Sequence, residues 1–213
     1  MYEGFFRDDH PVGEFKRYDE KGILRSVLIF SEDGREADAS IFFPDGNLAS
    51  KGKFVDRKKE GKWQFFSRDS GYLISEDIYK GNLRNGLSVK FYPDSSLAER
   101  ITYVDNIKNG EWIQFHPNNQ KWIRSNYLNG RLNGKFEAWF ENGGIEFSGQ
   151  YKYDVRDGIW QIFNKNGSVR YRIVYTNGVP DNRQMDIDAS NYMDSLERNK
   201  GKIADPETAG DIW

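Results

Sequence analysis

The stretch Gly134-Lys-Phe-Glu-Ala-Trp-Phe-Glu-Asn-Gly-Gly-Ile-Glu-Phe-Ser-Gly-Gln-Tyr-Lys-Tyr-Asp-Val-Arg-Asp157 decides the fold of this chain. Two aromatic-rich runs, GKFEAWF and IEFSGQYKY, flank the glycine-bearing turn ENGG, and a second turn, DVRD, leads to the next glycine, Gly158. Apolar runs bounded by glycine and Asn/Asp clusters are the signature of a β-hairpin. At 24 residues the unit is too short for two strands and a helical crossover, so neighbouring strands are expected to pair antiparallel.

The same pattern runs through the chain in both directions. An aromatic stands seven residues before a glycine at Phe6–Gly13, Phe54–Gly61, Tyr79–Gly86, Tyr103–Gly110, Tyr127–Gly134 and Tyr151–Gly158; Phe30–Ala37 keeps the spacing without the glycine. Anchors at 13, 37, 61, 86, 110, 134 and 158 are therefore 24 residues apart, with one step of 25. Five places after each anchor comes an aromatic: Tyr18, Phe42, Phe66, Phe91, Phe115, Trp139 and Phe163. A fixed period of this length marks a tandem array of one supersecondary unit.

The array is expected to cover 1–181: a half unit at 2–12, then seven units. Laid side by side, roughly 15 strands at ~4.8 Å each would make a twisted or curled meander on the order of 70 Å long. A propeller would have to close on three and a half blades, and a parallel β-helix would want more continuous apolar stacking. The extra residue near Ser67–Gly71 and the lost glycine at Ala37 are the expected places for a local bulge or a change of curvature. Residues 182–213 are polar and different in kind; the spacing of 188–200 reads as a short helix capping the last open strand edge, with Ile203 to Trp213 poorly ordered unless Ile212 and Trp213 dock.

Bulk composition excludes several functions. A formal charge of −2 lacks the basic excess of a nucleic-acid binder. There is no cysteine, hence no disulfide and no thiolate metal site, and no apolar run reaches the ~18 residues of a membrane span. His10 and His116 each precede a proline in an expected turn and read as solvated rather than as catalyst or metal ligand. Neither a G-x-S-x-G elbow nor a phosphate loop is present. The chain is read as a non-enzyme with no catalytic, cofactor or metal residues.

Two columns suggest a binding surface. Aromatics two places after the anchor (Phe15, Trp63, Trp112, Phe136, Trp160) and those five places after it differ by an odd number, so without a bulge they face opposite sides of the sheet. One face is then core and the other open, unless a bulge or Lys and Arg stems cover it. A base recurs in the second turns at Arg35, Lys59, Arg84, Lys108 and Arg156, with Arg131 one place off, and Glu36, Glu60 and Asp157 stand beside three of them. The expected contact residues are Trp63, Trp112, Trp139 and Trp160, with Arg84, Lys108 and Arg131 as rim charges.

Tyr127-Leu-Asn-Gly130-Arg-Leu-Asn-Gly134 resembles the core of the MORN repeat: an aromatic, two residues, glycine, three residues, glycine. The Gly-x-Phe/Tyr ends at Gly4, Gly52 and Gly149 resemble the Glu-Gly-x-Trp of that motif, and Trp63, Trp112 and Trp160 look most like the bacterial MORN-variant (MORN_2-like) repeats of the YwqK family, grouped with antitoxins. The middle glycine moves to Gly81 in one unit and is missing after Phe54, Tyr103 and Tyr151. The resemblance implies an antiparallel hairpin meander that works as a protein-interaction scaffold. Its other implied partners are an anionic lipid, a cell-envelope polymer or a toxin to be neutralised. Because Tyr2-Glu3-Gly4-Phe5-Phe6 reads as the second half of a unit, a chain extending N-terminally, and with it export, is also expected.

Overall fold

The computed structural model describes residues 1–198, and the expectations for the segment beyond lie outside the described residues. Two compact units divide the chain. The first holds Met1–Ser95 and the turn Val104–Asn106; the second holds Ser96–Tyr103 and the described residues from Ile107 onward. In the first unit the strands are β1 (Tyr2–Arg7), β2 (His10–Tyr18), β3 (Leu24–Phe30), β4 (Glu36–Phe42), β5 (Leu48–Val55), β6 (Lys58–Phe66), β7 (Leu73–Lys80) and β8 (Leu83–Phe91). The second has β9 (Leu97–Val104), β10 (Ile107–Phe115), β11 (Lys121–Leu128), β12 (Arg131–Leu132), β13 (Gly134–Trp139), β14 (Ile145–Lys152), β15 (Val155–Phe163), β16 (Val169–Thr176), β17 (Val179–Pro180) and the helix α1 (Arg183–Arg198). Within each unit, consecutive strands pair antiparallel as an open meander. The fold class is all-β hairpin repeat.

Two turn chemistries alternate along the array. First turns such as Phe140–Gly144 close with the Phe140 amide on the Gly144 carbonyl and the Gly143 amide back on Phe140, with Gly143 at φ +82. That is a three-residue loop ending in a left-handed residue, and it shifts the register immediately before each aromatic of the fifth column, as between Ala138 and Trp139. Second turns carry two successive positive-φ residues, for example Asp56-Arg57 and Tyr153-Asp154, the backbone a two-residue hairpin requires. Each second turn also bonds to the one before it: the Asp154 amide donates to Leu132 O at 2.8 Å, and the Leu132 amide to Asp154 Oδ1 at 2.6 Å.

No bulge marks Ala37. Where the anchor is Gly61 or Gly158 at φ near +68, the preceding pairing skips a residue, between Lys51 and Lys53 and between Ser148 and Gln150. At Ala37 the ladder from Ser26↔Ile41 to Phe30↔Ala37 is unbroken. An alanine avoids the left-handed region that the bulge needs, so losing the glycine straightens the strand. The extra residue near Ser67–Gly71 is absorbed in the β6–β7 turn, with Gly71 donating to Ser67 O.

One face of each unit is its core, and aromatic rings lie on glycine backbone there. The Trp63 indole covers Gly52, and its Nε1–H donates to Lys53 O at 3.0 Å; the Trp160 indole covers Gly149 and donates to Gln150 O at 3.0 Å. A Cβ on Gly52 would stand 2.4 Å from Trp63 Cδ2, and one on Gly149 2.3 Å from Trp160 Cδ2. Edge contacts extend these stacks to Phe54 and Tyr79 in the first unit and to Tyr151 and Tyr175 in the second.

Substituting Gly149→Ala is expected to cost about 1–3 kcal/mol, because the ring cannot move without leaving its bond to Gln150. Ala37→Gly, in a regular strand, should cost only about 0.5–1 kcal/mol. Urea midpoints of the two variants check the order; equal losses would contradict the ring-on-backbone packing.

Candidate functional site

Strand alternation sends the second-column aromatics to the core face and the fifth-column ones to its reverse. Trp63 is fully buried and Trp160 is 3% exposed. This corrects the expectation that they present contact area: both indoles are spent on glycine backbone. Trp112 is half-buried and donates from Nε1 to Glu99 Oε2 at 3.1 Å, a carboxylate that also accepts from Gln114. Trp139 is half-buried on the reverse of buried Ala138. Within the second unit, Trp139 lies on the face opposite Trp112 and Trp160.

The bases divide. They begin strands just after the second turns, and three of them lie over rings instead of extending into water. Lys59 Nζ sits 4.9, 5.4 and 5.3 Å from the ring centres of Trp63, Phe65 and Tyr79. Lys108 Nζ lies 5.0 Å from Tyr127, and the Arg156 guanidinium 5.2 Å from Trp160 and 5.6 Å from Tyr175. A cation over an aromatic face is attracted by the ring quadrupole, and its alkyl stem covers apolar surface. Arg84 is half-buried, with its amide bonded to Asn106 Oδ1 at 2.8 Å, and Arg131 is exposed. His116, expected in solvent, donates from Nε2 to Trp139 O at 2.8 Å and packs against Trp122.

Sequence reading missed the seat of α1. The helix starts at Arg183 rather than 188, because Asn182 is the cap: its Oδ1 accepts the Met185 amide at 3.0 Å. Arg156 Nη1 donates to Asp186 Oδ1 at 3.0 Å and to the Tyr175 hydroxyl at 2.9 Å, while that hydroxyl donates to Asp186 at 2.6 Å. Further along α1, Ala189 is buried, Ser190 and Met193 approach Arg156, and Tyr192 stacks on Phe147 and donates to Glu146 at 2.6 Å. Burial first, and then the accepting carboxylate, push the Tyr175 and Tyr192 hydroxyls up to about 12. The spacing of Asp186, Ala189/Ser190 and Met193 was the available signal, one turn apart on a single helix face.

A second polar feature lies in the first unit. Asp77, 4% exposed between Trp63 and Ser88 in the cross-strand row, has one oxygen, Oδ1, without a hydrogen-bond partner among the described residues, as do the hydroxyls of Ser50 and Ser75. Burial raises the Asp77 carboxyl above its ordinary value, against the lowering effect of its bond with Ser88. No group of three or more His, Asp or Glu side chains among the described residues could hold a metal ion. No described helix is long and apolar enough to cross a membrane.

Residues 108–129 and 156–177 match the family described as MORN repeat variant, and the two matches support the MORN-repeat family. Each matched segment begins on a base over its rings, Lys108 or Arg156, and ends in the next second turn. No curated protein matches the chain. Among solved structures, the crystal structure of TarM is similar at 14% identity and a TM-score of 0.36, over 51% of this chain and 20% of that one. The likeness spans about a fifth of that chain. MORN repeats are in general binding modules.

Two outcomes test the site as described. Arg156→Gln is expected to loosen α1, raising amide exchange across 183–198 while strand protection persists; the cost should be roughly 1–2 kcal/mol. Asp77 has a raised carboxyl, so the native state holds its proton more tightly than the unfolded chain does. Its contribution is therefore fully present below the ordinary value of 3.8 and is lost as pH rises through the raised one. Asp77→Asn should flatten stability against pH across that window in urea titrations; an unchanged slope would contradict the burial effect.

Proposed function

We propose that this protein is a non-catalytic protein-binding scaffold, and that its second unit takes an amphipathic helix with an acidic face on the aromatic side of the sheet. One observation carries the reading: α1 already lies on that side, with Asp186 on Arg156 and Tyr192 on Phe147. The base over a ring recurs two repeats earlier. Lys108 lies over Tyr127, with half-buried Trp112 and Tyr151 nearby in the row, and Lys108 has no ion-pair partner among the described residues. A partner carboxylate would meet Lys108 as Asp186 meets Arg156, and its apolar side would rest on the rings, as in helix-in-groove recognition.

Of the expected contact residues this keeps Trp112 and Lys108. Trp139 lies on the reverse of buried Ala138, Arg131 is exposed with no ring beneath it among the described contacts, and Arg84 belongs to the first unit. The anionic-lipid reading is weaker on the same grounds, since Arg35 is paired with Asp56, Lys53 with Glu36 and Lys62 with Glu76. The resemblance to bacterial antitoxin-type proteins would make a toxin one such protein partner.

A synthetic helix carrying Asp, Ser and Met at the spacing of 186, 190 and 193 is the probe. Titrated against the protein by fluorescence of its tryptophans, it should bind saturably, and Lys108→Glu should weaken binding at least about tenfold. Binding unaffected by that charge reversal, or none, would remove this reading.

A further inference from the structure

A different feature stands in the first unit, and it does not depend on the helix-binding reading. In the Trp63–Gly52 and Trp160–Gly149 contacts, the ring two places after an anchor lies over the glycine nine places before it. At the Gly86 anchor both partners are replaced: position 77 is aspartate and position 88 is serine. An aspartate and a serine fill less space than a glycine under an indole, and they are polar where the other pairs are apolar. On the opposite side of Asp77 in the row, the Trp63 indole lies on Gly52 of β5, the strand on the far side from β7, and its N–H is taken by Lys53 O.

Two buried polar side chains of β7 meet no partner there. Ser75 and Asp77 project from the core face, 1% and 4% exposed, while Glu76 between them bonds Lys62 and Gln64 on the reverse. Among the described residues neither the Ser75 hydroxyl nor Asp77 Oδ1 has a hydrogen-bond partner. Buried groups of this kind are bonded to protein or to ordered water, because an unbonded one is costly. The ladder is regular from Ser75 to Asp77 on both sides, which places their Cα atoms about 6.8 Å apart. Two hydrogen bonds of about 2.8 Å through a single water span up to about 5.6 Å, the reach needed between the tips of two such side chains.

We propose that Ser75 and Asp77 form an internal binding site for one ordered water, which accepts from the Ser75 hydroxyl and donates to Asp77 Oδ1. The site is polar, and the small side chain of Ser88 at a ring position leaves room for it. Its chemistry suits a neutral occupant. Ser88 bonds the other carboxylate oxygen, and Arg84, Lys90 and Lys59 already act on the charge of Asp77, so what Oδ1 needs is a hydrogen bond rather than a cation. Ser50, also unpartnered, lies two strands away across Phe65, about 9–10 Å, and is outside the reach of the same water.

A crystal structure of the full chain should show one water within hydrogen-bond distance of both Ser75 Oγ and Asp77 Oδ1. Stability supplies a test of sign. Ser75→Ala deletes a bonded hydroxyl and should lower the urea midpoint by about 0.3–0.5 M, whereas deleting an unbonded one would leave the midpoint unchanged or raise it. The midpoint of the original chain should be the same in sodium, potassium and tetramethylammonium chloride at equal concentration. A saturable rise with sodium or potassium would put an ion at the site and overturn the proposal. No water at that point, or a Ser75→Ala midpoint at or above the original, would overturn it as well; if that variant fails to fold, the crystal structure and the salt series carry the test.

Discussion

A flat ring on bare backbone is the contact on which the other features of this molecule depend. Trp63 on Gly52 and Trp160 on Gly149 bring an indole closer to a neighbouring strand than any side chain there would permit, and Phe15 does the same on Gly4. The contact lets one sheet face become a core without a second sheet packed on it, because the rings close over the backbone and over each other. It also dictates a complementary volume across the row. Leu28 meets Ala39, Gly52 precedes Trp63, and Ser125 stands beside Trp112 and before Phe136. The repeat therefore tolerates substitution in pairs, which explains why its units look uneven while the spacing holds.

The bases complete this core. A lysine or arginine arched over two or three rings shields apolar area on the side a second layer would occupy, and spends its charge on the quadrupoles below. That accounts for an array rich in turn charges that nonetheless offers no single-sign edge. It also makes each base a coupling point. Arg156 is held by Tyr175 and Asp186 and so seats α1; Arg35 is drawn onto Asp56 and stays exposed. Similar local chemistry thus gives a cover at one position and an exposed ion pair at another.

Much of the fold was legible because a β-hairpin array is built from local contacts. The 24-residue period, the turn residues and the antiparallel pairing follow from spacings within one unit, and Gly4, Gly52 and Gly149 were visible as a motif before their role was. The errors have physical causes. A bulge or a change of curvature was expected at Ala37, whereas skipped residues precede left-handed anchor glycines such as Gly61 and Gly158, and the missing glycine marks a regular strand. Trp63 and Trp160 were taken as contact residues because alternation alone does not say which aromatic column is core. The start of α1 was misplaced because Asn182 and Asp188 are both good caps, and only the docking of Asp186 on Arg156 selects the first. Asp77 had no signal, since a carboxylate on a strand becomes unusual only when the strands beside it bury it.

By itself, the sequence determined the unit, its period, its turns and the all-β class, since these depend on backbone conformations that glycine, asparagine and aspartate make available over a few residues. Only the tertiary structure decided which face is buried, which rings carry a cation, where Arg35 and Arg156 diverge and how α1 is seated. Those outcomes turn on distances between residues 20 or more apart in the chain, such as Arg35 to Asp56 and Arg156 to Asp186. No local spacing encodes whether such a pair will meet.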